Sequence, residues 1–194
     1  MARPREFDEA VVLDAATQRF WKNGYEATSV RDVAEEMGLT GASLYNAFGD
    51  KRKLYRLVLE RYAKGVIDDC ERVFGGNAPP KRAIKDFFDA TVTDLLNDAQ
   101  RKGCLVVNTS LELAPHDEEF REVVKGVFLR IEKYLRDCIK AGQADGTISR
   151  RQPAADLARS FLGAVLGLRV LARTRPEREL LMGLVRPLLS LLEP

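Results

Sequence analysis

The sequence predicts an all-α chain in two parts, a compact three-helix unit followed by a larger helical one. Three observations lead there. Apolar residues recur at helical spacing in segment after segment. Two short segments between Thr28 and Phe48 open with Ser29 and Thr40, residue types that cap helices. The runs that read most like strands, CLVV and GTIS, are short and have no partners.

The first helix is expected from Phe7 to about Asn23, with Val12, Leu13, Ala16, Phe20 and Trp21 on its inward stripe and Gly24 at its end. At that spacing Phe20 and Trp21 read as core residues rather than as ligand aromatics. Ser29 caps the second helix, and Asp32 three positions on makes an Asp-for-Glu capping box. Val30, Val33, Ala34 and Met37 form its apolar face, and Gly38 suits a left-handed residue just past it. Thr40 caps a third helix, Gly41 to about Phe48, whose Leu44 and Phe48 point inward. Gly41, Ala42, Ser43, Tyr45 and Asn46 are left facing out. A short capped helix, a turn and a second short helix make the helix-turn-helix design, in which the second helix enters the DNA major groove.

Asp50 caps a fourth helix, Lys51 to about Phe74, roughly six turns at about 1.5 Å per residue and so a natural lever. Gly75 to Pro80, GGNAPP, ends it. Helices are then expected from Lys81 to about Gln100, over CLVVNTSLEL after Gly103, and from Asp117 to about Ala141. The loop GQADGTISRRQ leads to Pro153–Arg173 and Pro176–Leu192, each with proline near its start, where it is tolerated. Residues 1–50 are therefore expected to form the DNA-binding domain and 51–194 a regulatory and dimerisation domain, with helix 51–74 shared.

Composition works mainly by exclusion. Of 194 residues, 45% are apolar and 31% charged, an ordinary soluble balance. No run approaches the roughly 18 to 20 apolar residues of a membrane span. MARPREFDEA has no apolar stretch after its charges, so no secretory signal is expected and a cytoplasmic location follows. The net charge of +2 is too small to argue for nucleic acid, but placement says more: Arg3 and Arg5 at the start, Lys51, Arg52 and Lys53 after the third helix. Arg3 and Arg5 read equally as a minor-groove arm or as a frayed terminus. Cys70, Cys104 and Cys138 suggest no disulfide framework. With a single histidine, the loop residue His116, neither a metal nor another cofactor is expected. No nucleophile–base pair or phosphate loop is visible, so an enzyme is not expected.

The segment Val12–Lys53 resembles the DNA-binding domain of the TetR family of bacterial transcriptional repressors. The pattern that carries the resemblance, from Ala15 to Lys51, is A-A-x-x-x-F-x-x-x-G-Y-x-x-T-S-V-R-D-V-A-x-x-M-G-L-T-x-x-S-L-Y-x-x-F-x-x-K. Asn46 departs from it, standing where the family most often has histidine. Gly103, Cys104, Leu105 and Asn108 are similar to a Gly-Cys-Leu-x-x-Asn segment of some members. The resemblance implies a homodimer that binds a palindromic double-stranded operator and releases it when a small-molecule effector enters the second domain.

Motif and resemblance together select Thr28, Ser29, Arg31, Thr40, Gly41, Ala42, Ser43, Tyr45, Asn46 and Lys51 as DNA-binding residues. Asn46 has the chemistry to read adenine bidentately, Ser43 a base edge or phosphate, and Tyr45 a phosphate. Lys51, Thr28 and Ser29 lie at helix N-termini, which favour anions. Phe87, Phe88, Cys104, Asn108, Phe128 and Tyr134 are effector-pocket candidates, although the spacing favours core for the aromatics and a backbone partner for Asn108. Cys104, near a helix start and beside Arg101 and Lys102, supports an alternative regulator that senses oxidants or electrophiles through its thiolate. Leu105 to Val107 argue instead for a buried, apolar role. FLGAVLGLRVLA and LLMGLVRPLLSLL carry more apolar residues than one side of a small domain hides. Phe161, Gly163, Leu166, Gly167, Val170, Leu184 and Leu188 are therefore the expected dimer interface.

Overall fold

The structure, a computed structural model, describes residues 7–194; Arg3 and Arg5 lie outside these. The described residues form nine α-helices and no strand. These are α1 (Glu9–Asn23), α2 (Val30–Glu36), α3 (Gly41–Phe48), α4 (Lys51–Phe74), α5 (Pro80–Asn97), α6 (Leu105–Glu112), α7 (Glu118–Asp145), α8 (Ala154–Leu171) and α9 (Arg178–Ser190). Two compact units divide inside α4, one ending at Lys64 and the other running Gly65–Pro194.

In the first unit α1 starts two residues later than expected. Asp8 takes the N-cap and accepts the Ala10 N–H at 2.8 Å, so Phe7 is free to stack on Phe48 at 6.3 Å between ring centroids. Val12, Ala16 and Phe20 are fully buried, and Trp21 is half-buried, edge-on to Tyr62 at 5.0 Å. Phe20 also meets Tyr55 of α4 edge-on at 4.9 Å, and Tyr25 meets the same ring at 5.0 Å. These rings, with the Arg61–Asp14 ion pair at 2.8 Å, fasten α1 to the first half of α4. Gly38 adopts φ +64°, which lets the Leu39 N–H turn back to the Ala34 carbonyl at 2.8 Å and end α2.

In the second unit α7 packs on α5, α6 and α8, and α9 packs on α5 and α8. Phe161 corrects an expectation. Its side chain is wholly buried within the unit, 5.4 Å from the Phe88 ring, so it belongs to the core rather than to a surface that a twin would cover. Helix α7 runs a turn longer than its apolar pattern suggested, because left-handed Gly146 (φ +82°) supplies the stop. The GTIS segment is no strand: the Ile148 N–H returns to the Gly142 carbonyl at 2.9 Å, and the Ser149 N–H reaches the Leu192 carbonyl at 3.0 Å. Burying Ile148 requires glycine beneath it, since a β-carbon at Gly142 would lie 2.5 Å from Ile148 Cδ1.

Alanine is favoured over glycine by roughly 0.8–1 kcal/mol inside a helix. Gly142→Ala should nevertheless lower thermal stability, by about 1 kcal/mol net, because overpacking costs roughly 1–3 kcal/mol. In an Ile148→Ala background the same change should become neutral or stabilising. Thermal unfolding of the four variants measures this.

Candidate functional site

The α2–α3 pair presents the outward residues because both helices are pinned from behind. Val30, Val33, Ala34, Leu44 and Phe48 are buried, whereas Tyr45 is 53% exposed and Arg31, Ala42 and Asn46 are exposed with it. Gly41 and Ser43 are half-buried beside them. A β-carbon at Gly41 would meet nothing within 4 Å, so the fold itself does not require glycine there.

The caps decide which polar groups remain available. Ser29 Oγ accepts the Asp32 N–H at 3.1 Å while the Asp32 carboxylate accepts the Ser29 N–H at 2.7 Å, a complete capping box. That backbone donation, then the Ser29 hydroxyl, holds the Asp32 carboxyl below its ordinary value of 3.8. The Ser29 N–H is thus already taken, and its hydroxyl serves Asp32 as well. Thr40 Oγ1 accepts the Ser43 N–H at 3.2 Å and lies 2.8 Å from Ser43 Oγ, so these two candidates form one local pair.

Thr28 is a second correction. It is buried and donates its hydroxyl to the Gly24 carbonyl at 2.9 Å, closing the turn between α1 and α2 from inside. Lys51 is placed differently from a solvated cation. Its ammonium lies 4.2 Å above the Tyr25 ring, donates to the Glu26 carbonyl at 3.3 Å and stands 4.0 Å from the Glu26 carboxylate. Tyr25 and Glu26 were not legible as site residues, because a contact between positions about two dozen apart leaves no helical spacing to read.

The effector candidates fall into two groups. Phe87 stands 5.2 Å from Phe74 and 5.5 Å from Phe88, while Phe74 stacks on Tyr134 at 6.1 Å. Phe87 and Phe88 are buried; Phe128 and Tyr134 are half-buried on α7. Tyr134 donates its hydroxyl to Glu71 at 2.8 Å, and that carboxylate raises the phenol above its ordinary value. Cys104 and Asn108 make the second group. Cys104 is the buried N-cap of α6, and Asn108 donates to the Lys102 carbonyl at 3.0 Å and accepts from Arg173 at 3.3 Å. Asn108 therefore serves the backbone of the preceding loop. Burial pushes the Cys70 and Cys138 thiols up to about 11.

On α8, Gly163, Leu166, Gly167 and Val170 follow one stripe at i, i+3, i+4 and i+7. Val170 is 46% exposed and Leu184 of α9 is 38% exposed, with Leu166, Gly167 and Leu188 half-buried. A β-carbon at Gly163 or Gly167 would meet nothing within 4 Å. Among the described residues no helix is long and apolar enough to cross a membrane.

A capped helix-turn-helix with a bare reading face defines a DNA-binding regulator. Residues 12–58 match the family of bacterial regulatory proteins called tetR, and residues 80–184 match the tetracyclin repressor-like C-terminal domain. The chain belongs to the TetR family of DNA-binding transcriptional regulators. It is 30% identical over 191 residues to the HTH-type transcriptional repressor ComR of Escherichia coli (strain K12), spanning 97% of this chain and 90% of that one. It is 33% identical over 142 residues to the uncharacterized HTH-type transcriptional regulator YezE of Bacillus subtilis (strain 168), spanning 73% and 71%. Among solved structures, a cysteine mutant of the TetR family regulator CifR in complex with 26-base-pair operator DNA is similar, with TM-score 0.84 and 30% identity over 97% of this chain and 98% of that one.

Thr28→Val keeps the shape and removes the hydroxyl that serves Gly24. It should lower stability by about 1 kcal/mol, the worth of one intramolecular hydrogen bond. DNA affinity of the folded variant should stay unchanged, as a titration below its melting range would show.

Proposed function

We propose that the chain is a homodimeric repressor that holds a palindromic operator through α3 and releases it when a small-molecule effector binds the second unit. The observation that carries the reading is the division of α3, with Leu44 and Phe48 buried and Tyr45 and Asn46 exposed. ComR and DhaR, a relative from Mycobacterium sp. (strain GP1) that is 29% identical, are both named transcriptional repressors, and the CifR complex contains operator DNA. A protein that acts on the chromosome of a bacterial cell works in the cytoplasm.

Asn46 is assigned to a base edge and Tyr45 to a phosphate, with Gly41 and Ala42 leaving room for close approach. Arg31, Thr40, Ser43 and Lys51 complete the interface from its edges. The α8–α9 stripe of Gly163, Leu166, Gly167, Val170, Leu184 and Leu188 is assigned to the twin. Two-fold symmetry then sets two copies of α3 against half-sites one helical turn apart, around 34–36 Å. The aromatic series around Phe74 and Phe87, with Phe128 and Tyr134 on the same helix, suits an apolar effector. Such a ligand releases DNA only through its differential affinity for the bound and free states. Cys104, buried, is read as a small apolar packing residue.

Selection from a random duplex pool tests the operator reading; failure to enrich any sequence sinks it. Asn46→Ala should cost about 1–3 kcal/mol at one base position and relax preference there. Tyr45→Phe should weaken binding to all sequences alike. Gly167→Leu tests the twin contact: a β-carbon there meets nothing within 4 Å inside one protomer, so the variant should fold while sedimenting as a monomer.

A further inference from the structure

The contacts of Lys51 carry a consequence for affinity. An ammonium has three donors and no acceptor. Among the described residues its partners come from the turn between α1 and α2: the Tyr25 face, the Glu26 carbonyl and the Glu26 carboxylate. The first two are anchored, since Tyr25 packs against Tyr55 and Phe20 and the carbonyl belongs to the backbone. The third is different. The Glu26 side chain is 80% exposed and that of Lys51 only 26%, so solvent and an incoming anion reach the carboxylate more readily than they reach the ammonium.

We propose that Glu26 is a positioning residue that sets the strength of DNA binding by competing with a backbone phosphate for Lys51. The inference rests on the reading of Lys51 as part of the DNA interface. A phosphate arriving at the start of α4 finds the ammonium oriented by ring and carbonyl but partly neutralised by Glu26. It must displace that carboxylate, a like charge at short range. Displacement from an exposed pair costs little, because such pairs are worth about 0.2–1 kcal/mol. The effect is a restraint common to every duplex, since phosphate contacts carry no sequence information. Glu26 would thereby hold down non-specific binding without altering which operator is chosen.

Glu26→Gln tests this, because it removes the charge and retains the Glu26 carbonyl and the shape of the side chain. Binding is measured by anisotropy with the full chain on two probes, a duplex enriched from a random pool and poly(dI-dC), over a range of salt. The variant should bind both about 1.4- to fivefold tighter, the range an exposed ion pair converts to. Its salt slope should steepen by up to about 0.9, one released counterion. In a Lys51→Met background the same substitution should give no gain; Lys51→Gln serves if Lys51→Met melts early. An equal gain with and without Lys51 would overturn the proposal by showing a general charge effect. Unchanged or weaker binding would overturn it as well, and so would a gain confined to one probe. If the pool enriches no sequence, the operator reading fails by itself, and poly(dI-dC) still decides the role of Glu26.

Discussion

An eight-residue helix is not stable by itself in water, where helices shorter than about 12–15 residues are marginal. Everything in the first unit follows from that constraint on α3. Its stability comes from burying Leu44 and Phe48, each worth roughly 1.5–3 kcal/mol, and from the Thr40 cap at its start. The wall it leans on has to be supplied by neighbours: Phe7 on the Phe48 ring, and the buried face of α2 beside it. Because the buried pair lies at i and i+4, the residues between are turned outward. Exposure of Tyr45 and Asn46 is therefore a direct product of how the helix is held.

The polar groups around α2 obey a second constraint, that backbone donors at a helix start must find acceptors. Asp32 and Ser29 satisfy each other, and Thr28 turns inward to satisfy Gly24. What is left for DNA is smaller than a count of hydroxyls and helix termini suggests. The groups we propose for it are the side chains of the exposed α3 face, Arg31, and a lysine already oriented by Tyr25 and Glu26. A pre-oriented cation loses less freedom on meeting a phosphate than a solvated one.

The second unit separates its apolar residues into two uses. The rings of Phe88 and Phe161 close the interior, while the small and half-covered residues of α8 and α9 leave a shallow stripe. Cys70 and Cys104 are buried as apolar volume, while the half-buried Cys138 donates its thiol to the Pro80 carbonyl at 3.3 Å. Glu71, Tyr134 and Arg130 add a polar bond between α4 and α7 at the edge of the aromatic series, with Arg130 at 3.5 Å from Glu71.

The sequence by itself determined the helices, their caps and the family. Capping and periodicity are local, acting over three or four residues, so Ser29–Asp32, Thr40–Ser43 and the Leu44–Phe48 pair were legible without a structure. Only the tertiary structure decided which way particular side chains face when two readings shared one spacing. Thr28 and Phe161 lie at positions whose pattern fits a surface as well as an interior, and packing turned both inward. It also decided the partners of Lys51 and Tyr134, found about two dozen and more than sixty residues away along the chain. Such contacts depend on how helices meet, and no periodicity within a single helix records that.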